Sequence, residues 1–128
     1  MLKKKILVTD DEKAILMLFE KAFSRKGFEV RTASSAKEAL ALLENEEISV
    51  MFLDLNMPEM DGLELCRQIK KDRPMSIIYA ITGYASMFEL VECRDVGFDD
   101  YFKKPVDLKK LVDAANDAFE KIKRWKKS

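Results

Sequence analysis

Apolar residues in this chain follow two rhythms that take turns. Short continuous runs alternate with longer stretches in which apolar residues recur every third or fourth position. The first run is Lys5-Ile6-Leu7-Val8-Thr9, and it ends in Asp10-Asp11. The helix that follows places Ile15, Leu18, Phe19, Ala22 and Phe23 on one face, and Gly27 stops it. Phe28 to Ala33 reads as a second strand whose Glu29 and Arg31 alternate outward, the mark of a sheet edge. Ser34 or Ser35 caps the next helix, with a stripe of Ala36, Ala39, Leu40 and Leu43. The third strand, 48–54, contains Ser49-Val50-Met51-Phe52-Leu53 and delivers Asp54 as its apolar character gives out; Met57-Pro58 then turns the chain away. Asp61-Gly62 opens a third helix with Leu65, Cys66 and Ile69 inward, and Pro74 breaks the pattern. Ile77 to Ile81 forms another buried strand, ending in Thr82-Gly83. A weaker helix over 86–95 runs through Met87, Leu90 and Val91, and Gly97 ends it. Tyr101-Phe102 sits in a short fifth strand that ends in Lys103-Lys104-Pro105. The clearest stripe is the last: Leu108, Leu111, Val112, Ala115, Phe119 and Ile122.

Five strands in strict alternation with five helices predict an α/β fold. Right-handed crossovers give a parallel sheet with helices on both faces. A strand apolar on both faces, as 48–54 is, belongs in the middle of such a sheet. The expected strand order is 2-1-3-4-5, the doubly wound, flavodoxin-like arrangement. In open sheets of this kind ligands bind at the carboxyl edge, where neighbouring strands diverge. The first strand delivers Asp10 and Asp11 to that edge, the third Asp54, the fourth Thr82 and the fifth Lys104. Each has a plain structural reading: Asp10-Asp11 as caps of the first helix, Thr82 as a cap of the fourth, Lys104-Pro105 as a turn. Their convergence on adjacent strand ends is what points to chemistry.

Composition narrows that chemistry. The chain has 128 residues, a length that suits one domain with a full core. Lys+Arg and Asp+Glu both number 23, so the net charge is zero, which argues against bulk electrostatic binding to nucleic acid or to an anionic membrane. No apolar stretch approaches the roughly 20 residues of a membrane span, and the start MLKKKILVTDDE does not read as a signal peptide. Cys66 and Cys93 fall in helical patterns and read as reduced thiols of a cytosolic protein. There is no histidine, which excludes a His-based triad, a His metal site and a phosphohistidine on this chain.

Three carboxylates in one pocket disfavour one another's ionisation. A hard divalent cation relieves that, and oxygen ligands without His or Cys point to Mg²⁺. One carboxylate can then act as a nucleophile toward phosphorus, because Asp forms acyl phosphates. Lys104 would neutralise charge on the equatorial oxygens, and Thr82 would offer a hydroxyl donor to the same group.

In this order Asp10-Asp11-Glu12, Asp54 with Met57-Pro58, Asp61-Gly62, Thr82-Gly83 and Lys104-Pro105 resemble a response-regulator receiver domain of two-component signalling. The likeness covers about residues 3–122, and 1–128 reads as a single receiver domain with a basic helix end at 121–128. The resemblance implies that Asp54 is the phosphoacceptor, supplied by the phosphohistidine of a sensor histidine kinase or phosphotransfer protein. It implies that Asp11 and the backbone carbonyl of Asn56 ligate Mg²⁺, with Asp54 and with Asp10 directly or through water. Lys104 would pair with the phosphoryl group. Thr82 and Tyr101 would form a switch pair reporting to a downstream protein at the face of the fourth helix, fifth strand and fifth helix. Lys104-Pro105 resembles the family's cis bond. Such a protein is a cytoplasmic signalling module rather than an enzyme, with no direct nucleic-acid or membrane binding. Asn56 and Tyr84 stand at positions that vary in the family and tune access of hydrolytic water. The run Lys121 to Lys127 reads as a solvated helix end, favourable at the negative end of the helix dipole, with Trp125 continuing the packed stripe or, as the lesser alternative, forming part of a partner interface.

Three rival readings are weaker. A haloacid-dehalogenase-type phosphohydrolase usually carries a second Asp two residues after its nucleophile, where this chain has Asn56. A flavodoxin-like cofactor binder needs a phosphate-cradling loop after the first strand, where Asp10-Asp11-Glu12 would repel phosphate. A degenerate receiver serving only as a scaffold would not need Asp54, Thr82 and Lys104.

Overall fold

Every residue from Val50 to Asp54 is buried, and the sheet is arranged around them. The computed structural model describes residues 4–83 and 86–127, apart from the side chain of Phe88. Within them, β1 (Lys5–Thr9), β2 (Glu29–Ala33), β3 (Val50–Asp54), β4 (Ile77–Thr82) and β5 (Asp100–Lys103) alternate with five helices. These are α1 (Lys13–Arg25), α2 (Ala36–Asn45), α3 (Gly62–Asp72), α4 (Met87–Val96) and α5 (Leu108–Lys127). All strand pairs are parallel, in the expected order β2-β1-β3-β4-β5. The expected edge strand, β2, is at the edge, and chain order reverses between β1 and β3. Thr9 is level with Leu53, and Asp54 with Ile81, so the carboxyl ends of the three central strands stand side by side.

Strand alternation sorts the core into two layers. Val50 and Phe52 face α1 and α5, where Phe19, Phe23, Phe28 and Tyr79 join them in a run of ring contacts. Met51 and Leu53 face α2 and α3, against Ala36, Ala39, Leu43, Leu65 and Ile69. Local signals set the helix ends. Ser35, not Ser34, caps α2 by accepting from Glu38 N, and Asp61 caps α3 by accepting from Glu64 N. Gly97 closes α4 in the left-handed region, at φ 111°.

Three packing expectations are corrected. Leu18 is exposed, and Leu16 is buried with Phe19 and Phe23. Those three share one narrow face, whereas Ile15 and Ala22 lie at its border, half-buried. In α4, Met87 and Val91 face solvent, Met87 being 77% exposed, and Cys93 is the buried residue among its described side chains. Trp125 is 43% exposed rather than packed, because α5 runs on as a helix past its last fully buried residue, Ala118. Both cysteines are buried and free, and burial pushes the Cys66 thiol up to about 12 and that of Cys93 up to about 11. Among the described residues no helix is long and apolar enough to cross a membrane.

Candidate functional site

Asp10 and Asp54 leave neighbouring strands at the point where chain order reverses. Both are buried, with 1% and 2% of their surface exposed. Asp10 Oδ1 accepts from Glu12 N at 2.9 Å, and Asp54 Oδ1 accepts from Asn56 N at 3.1 Å. Each carboxylate is thus pinned by the turn that follows it, as Asx turns do. Asp11 is exposed at the rim. Carboxylate oxygens of Asp10, Asp11 and Asp54 all lie within 4.8 Å of one another.

Lys104 crosses to the same group from the far side of β4. Its backbone N donates to Thr82 O at 2.7 Å, and the Lys104-Pro105 bond is cis, as expected. Its Nζ stands 3.6 Å from Asp10 Oδ2 and 3.7 Å from Asp54 Oδ1. That single ammonium does not neutralise the cluster. Burial, first, and the neighbouring Asp10 charge hold the Asp54 carboxyl up at about 6, against the lowering pull of the Asn56 hydrogen bond and Lys104. Burial likewise raises Asp10, opposed by the Glu12 hydrogen bond and Lys104.

The β3–α3 connection is held down tightly behind Asp54. Leu55 N donates to Ile81 O at 3.0 Å and Gly62 N to Leu55 O at 3.1 Å. A Cβ on Gly62 would lie 2.4 Å from Asp54 O and 2.8 Å from Leu55 Cα, so α3 can start this close only with glycine there.

The capping readings of Asp10, Asp11 and Thr82 do not hold. Glu12 occupies the N-cap of α1 and makes no side-chain cap bond, so neither Asp10 nor Asp11 caps that helix. The cap of α4 is Ser86, not Thr82. Thr82 is fully buried, and its hydroxyl donates to Glu89 Oε1 at 2.7 Å. Glu89 is the site neighbour that reading the sequence missed; its Ser86-x-x-Glu89 spacing marks the start of a helix and not a reach to Thr82. Tyr101 on β5 pairs in register with Ala80 on β4, so it shares a sheet face with Thr82, and it is 39% exposed. Asn56 is exposed, and Tyr84 lies outside the described residues.

The donor set suits a hard divalent cation. It is all oxygen, it carries excess negative charge, and the buried Asp10 Oδ2 has no hydrogen-bond partner.

Fold and site together define a doubly wound α/β protein with a carboxylate cluster and a lysine at its switch point. The profile of the response regulator receiver domain matches residues 6–116. The alkaline phosphatase synthesis transcriptional regulatory protein PhoP of Bacillus subtilis (strain 168) is 38% identical over 104 residues, 81% of this chain and 43% of the relative. The receiver domain protein (CheY-like) of Methanospirillum hungatei JF-1 is 33% identical, with a TM-score of 0.92 over 96% of this chain and 98% of that one. A receiver domain protein from Clostridium thermocellum is 35% identical, with a TM-score of 0.89 over 97% and 99% of the two chains. This chain belongs to the response regulator receiver domain family of two-component signalling. It spans less than half the length of PhoP, and the acidic pocket of its family is a Mg²⁺ site.

Proposed function

We propose that this receiver domain accepts a phosphoryl group on Asp54 from the phosphohistidine of a partner kinase or phosphotransfer protein. One observation carries the reading: a buried carboxylate stands at the carboxyl edge of the central strand, beside two more carboxylates and one lysine. In its ionised form Asp54 is a competent nucleophile toward phosphorus. An Asp54 oxygen attacks phosphorus, the bond from phosphorus to the imidazole nitrogen breaks, and the imidazole leaves with that electron pair. Asp10, Asp11, Asp54 and the backbone carbonyl of Asn56 would hold Mg²⁺, which when bound supplies positive charge to the carboxylates and the phosphoryl oxygens. Lys104 stabilises the same oxygens from the other side. The chain acts as a signalling module and not as a phosphatase, since Asn56 has no acidic proton to give.

Phosphorylation is then read by Thr82 and Tyr101. A phosphoryl group offers Thr82 a charged acceptor, and charge-assisted bonds are stronger than neutral ones. As Thr82 moves toward it, the exposed Tyr101 ring turns inward, and a downstream protein senses the change at the face of α4, β5 and α5. An open hollow of about 380 Å³ lies on that side, between Tyr101, Lys103, Pro105 and Lys110. The partner there is a protein rather than nucleic acid, in keeping with the zero net charge. Borohydride reduction after acetyl phosphate treatment tests the assignment, since it converts an aspartyl phosphate to homoserine. Peptide mapping is expected to place homoserine at position 54; homoserine at position 10 or 11 would move the phosphoacceptor.

A further inference from the structure

The Thr82 hydroxyl carries one proton, so it serves one strong acceptor at a time. In this structure the hydroxyl donates to Glu89 Oε1 at 2.7 Å, from a fully buried Thr82. Glu89 stands in the first turn of α4, where its backbone N donates to the capping Ser86 hydroxyl at 3.1 Å. The spacing is that of a capping box, in which the acidic side chain turns back on its own helix. Here Oε1 reaches across to the end of β4. Beyond its first turn, α4 packs through the buried Cys93 and the half-buried Val96 among its described side chains. The bond to Thr82 is therefore a direct tie between α4 and the strand end beside the acidic pocket.

We propose that Glu89 is a positioning residue that holds Thr82 in the unphosphorylated arrangement, so that a phosphoryl group must take the hydroxyl from a carboxylate. The inference rests on the reading of Asp54 and Thr82 given above. The two arrangements exclude each other, because one proton cannot serve both acceptors. Glu89 thereby sets the bias of the switch, and loss of its bond releases the first turn of α4 at the same moment that Thr82 engages the site. A phosphoryl group shifts the balance only by its differential affinity for Thr82, and Glu89 subtracts from that difference.

Beryllofluoride, which stands in for the phosphoryl group on an aspartate, gives the test. Its affinity is measured by calorimetry in the presence of Mg²⁺, with wild type, Glu89→Gln, Glu89→Ala, Thr82→Ala and Thr82→Ala/Glu89→Ala. Glu89→Ala is expected to tighten binding about tenfold, and Glu89→Gln less, since a neutral amide remains a weaker acceptor. In the Thr82→Ala background, Glu89→Ala is expected to change affinity by less than about twofold, because the coupling runs through the hydroxyl. If Glu89→Ala does not fold, tightening in Glu89→Gln carries the test. A Glu89 variant that lowers the melting temperature while leaving affinity unchanged would overturn the proposal and leave a structural tie only. Equal tightening with and without the Thr82 hydroxyl would also overturn it, since the effect would then be charge repulsion. Failure of the wild type to bind beryllofluoride would overturn the assignment of Asp54 and this inference with it.

Discussion

Asp54 sits where its charge is disfavoured, and its stability effect has a definite sign. A carboxyl raised to about 6 on folding binds more protons in the folded state than in the unfolded one between about pH 4 and pH 6. Without added metal, its contribution is therefore lost as pH rises through that window, and the penalty is complete above it. The shift from an ordinary carboxylate to about 6 corresponds to roughly 3 kcal/mol. Asp54→Asn is expected to stabilise the metal-free protein by about 1–3 kcal/mol at pH 7.5, with the gain gone by about pH 4. Urea unfolding at the two pH values checks this; a gain that does not depend on pH would mean that charge burial is not its cause. Glu59 carries a different kind of local cost. It lies in the connection after Asp54 with φ 69°, a left-handed conformation that non-glycine side chains rarely adopt. Glu59→Gly is expected to raise the melting temperature by a few degrees in a calorimetric scan, and a fall would place the strain elsewhere.

At the scale of elements, the close start of α3 is what fixes the loop carrying Asp54. Gly62→Ala would drive a methyl into the Asp54 and Leu55 backbone, so the loop or the helix has to shift. A loss of about 2 kcal/mol or more in chemical unfolding is expected, and a loss under about 0.5 kcal/mol would show that α3 can move away freely. Legibility in the sequence follows the same packing logic. β3 was readable because burial on both faces leaves an uninterrupted apolar run, and Asp10, Asp54 and Thr82 were placed at one sheet edge because each stands where an apolar run gives out. Asp10, Asp11, Asp54 and Lys104 meet as the strand order requires. α1 and α4 were less readable. Leu18 sits near the apolar face of α1 yet faces water, since contact with the sheet selects the narrower line Leu16, Phe19, Phe23. In α4 the apolar Met87 and Val91 point outward, so hydrophobic spacing indicated the wrong face. Glu89 was missed for that reason: its partnership with Thr82 depends on how α4 is rotated, which its pattern does not specify.

For the whole molecule, a cation held in the acidic pocket would couple binding to folding. A cation that binds only the folded state stabilises it by mass action, by about 2.7 kcal/mol at a hundredfold excess over its Kd. Millimolar Mg²⁺ is expected to raise the melting temperature of the wild type, and Asp11→Asn, which removes one proposed ligand and one charge, is expected to lose most of that rise. Equal stabilisation of both proteins would remove Asp11 from the site. The receiver reading requires all of these parts at once: metal, nucleophile and lysine at one strand edge. Intact mass after exposure to acetyl phosphate is the most direct measurement of it. The wild-type chain is expected to gain the mass of one phosphoryl group in the presence of Mg²⁺ and little or none in EDTA, and Asp54→Asn is expected to gain none in either. An equal gain by Asp54→Asn, or no gain by the wild type with Mg²⁺, would contradict the account.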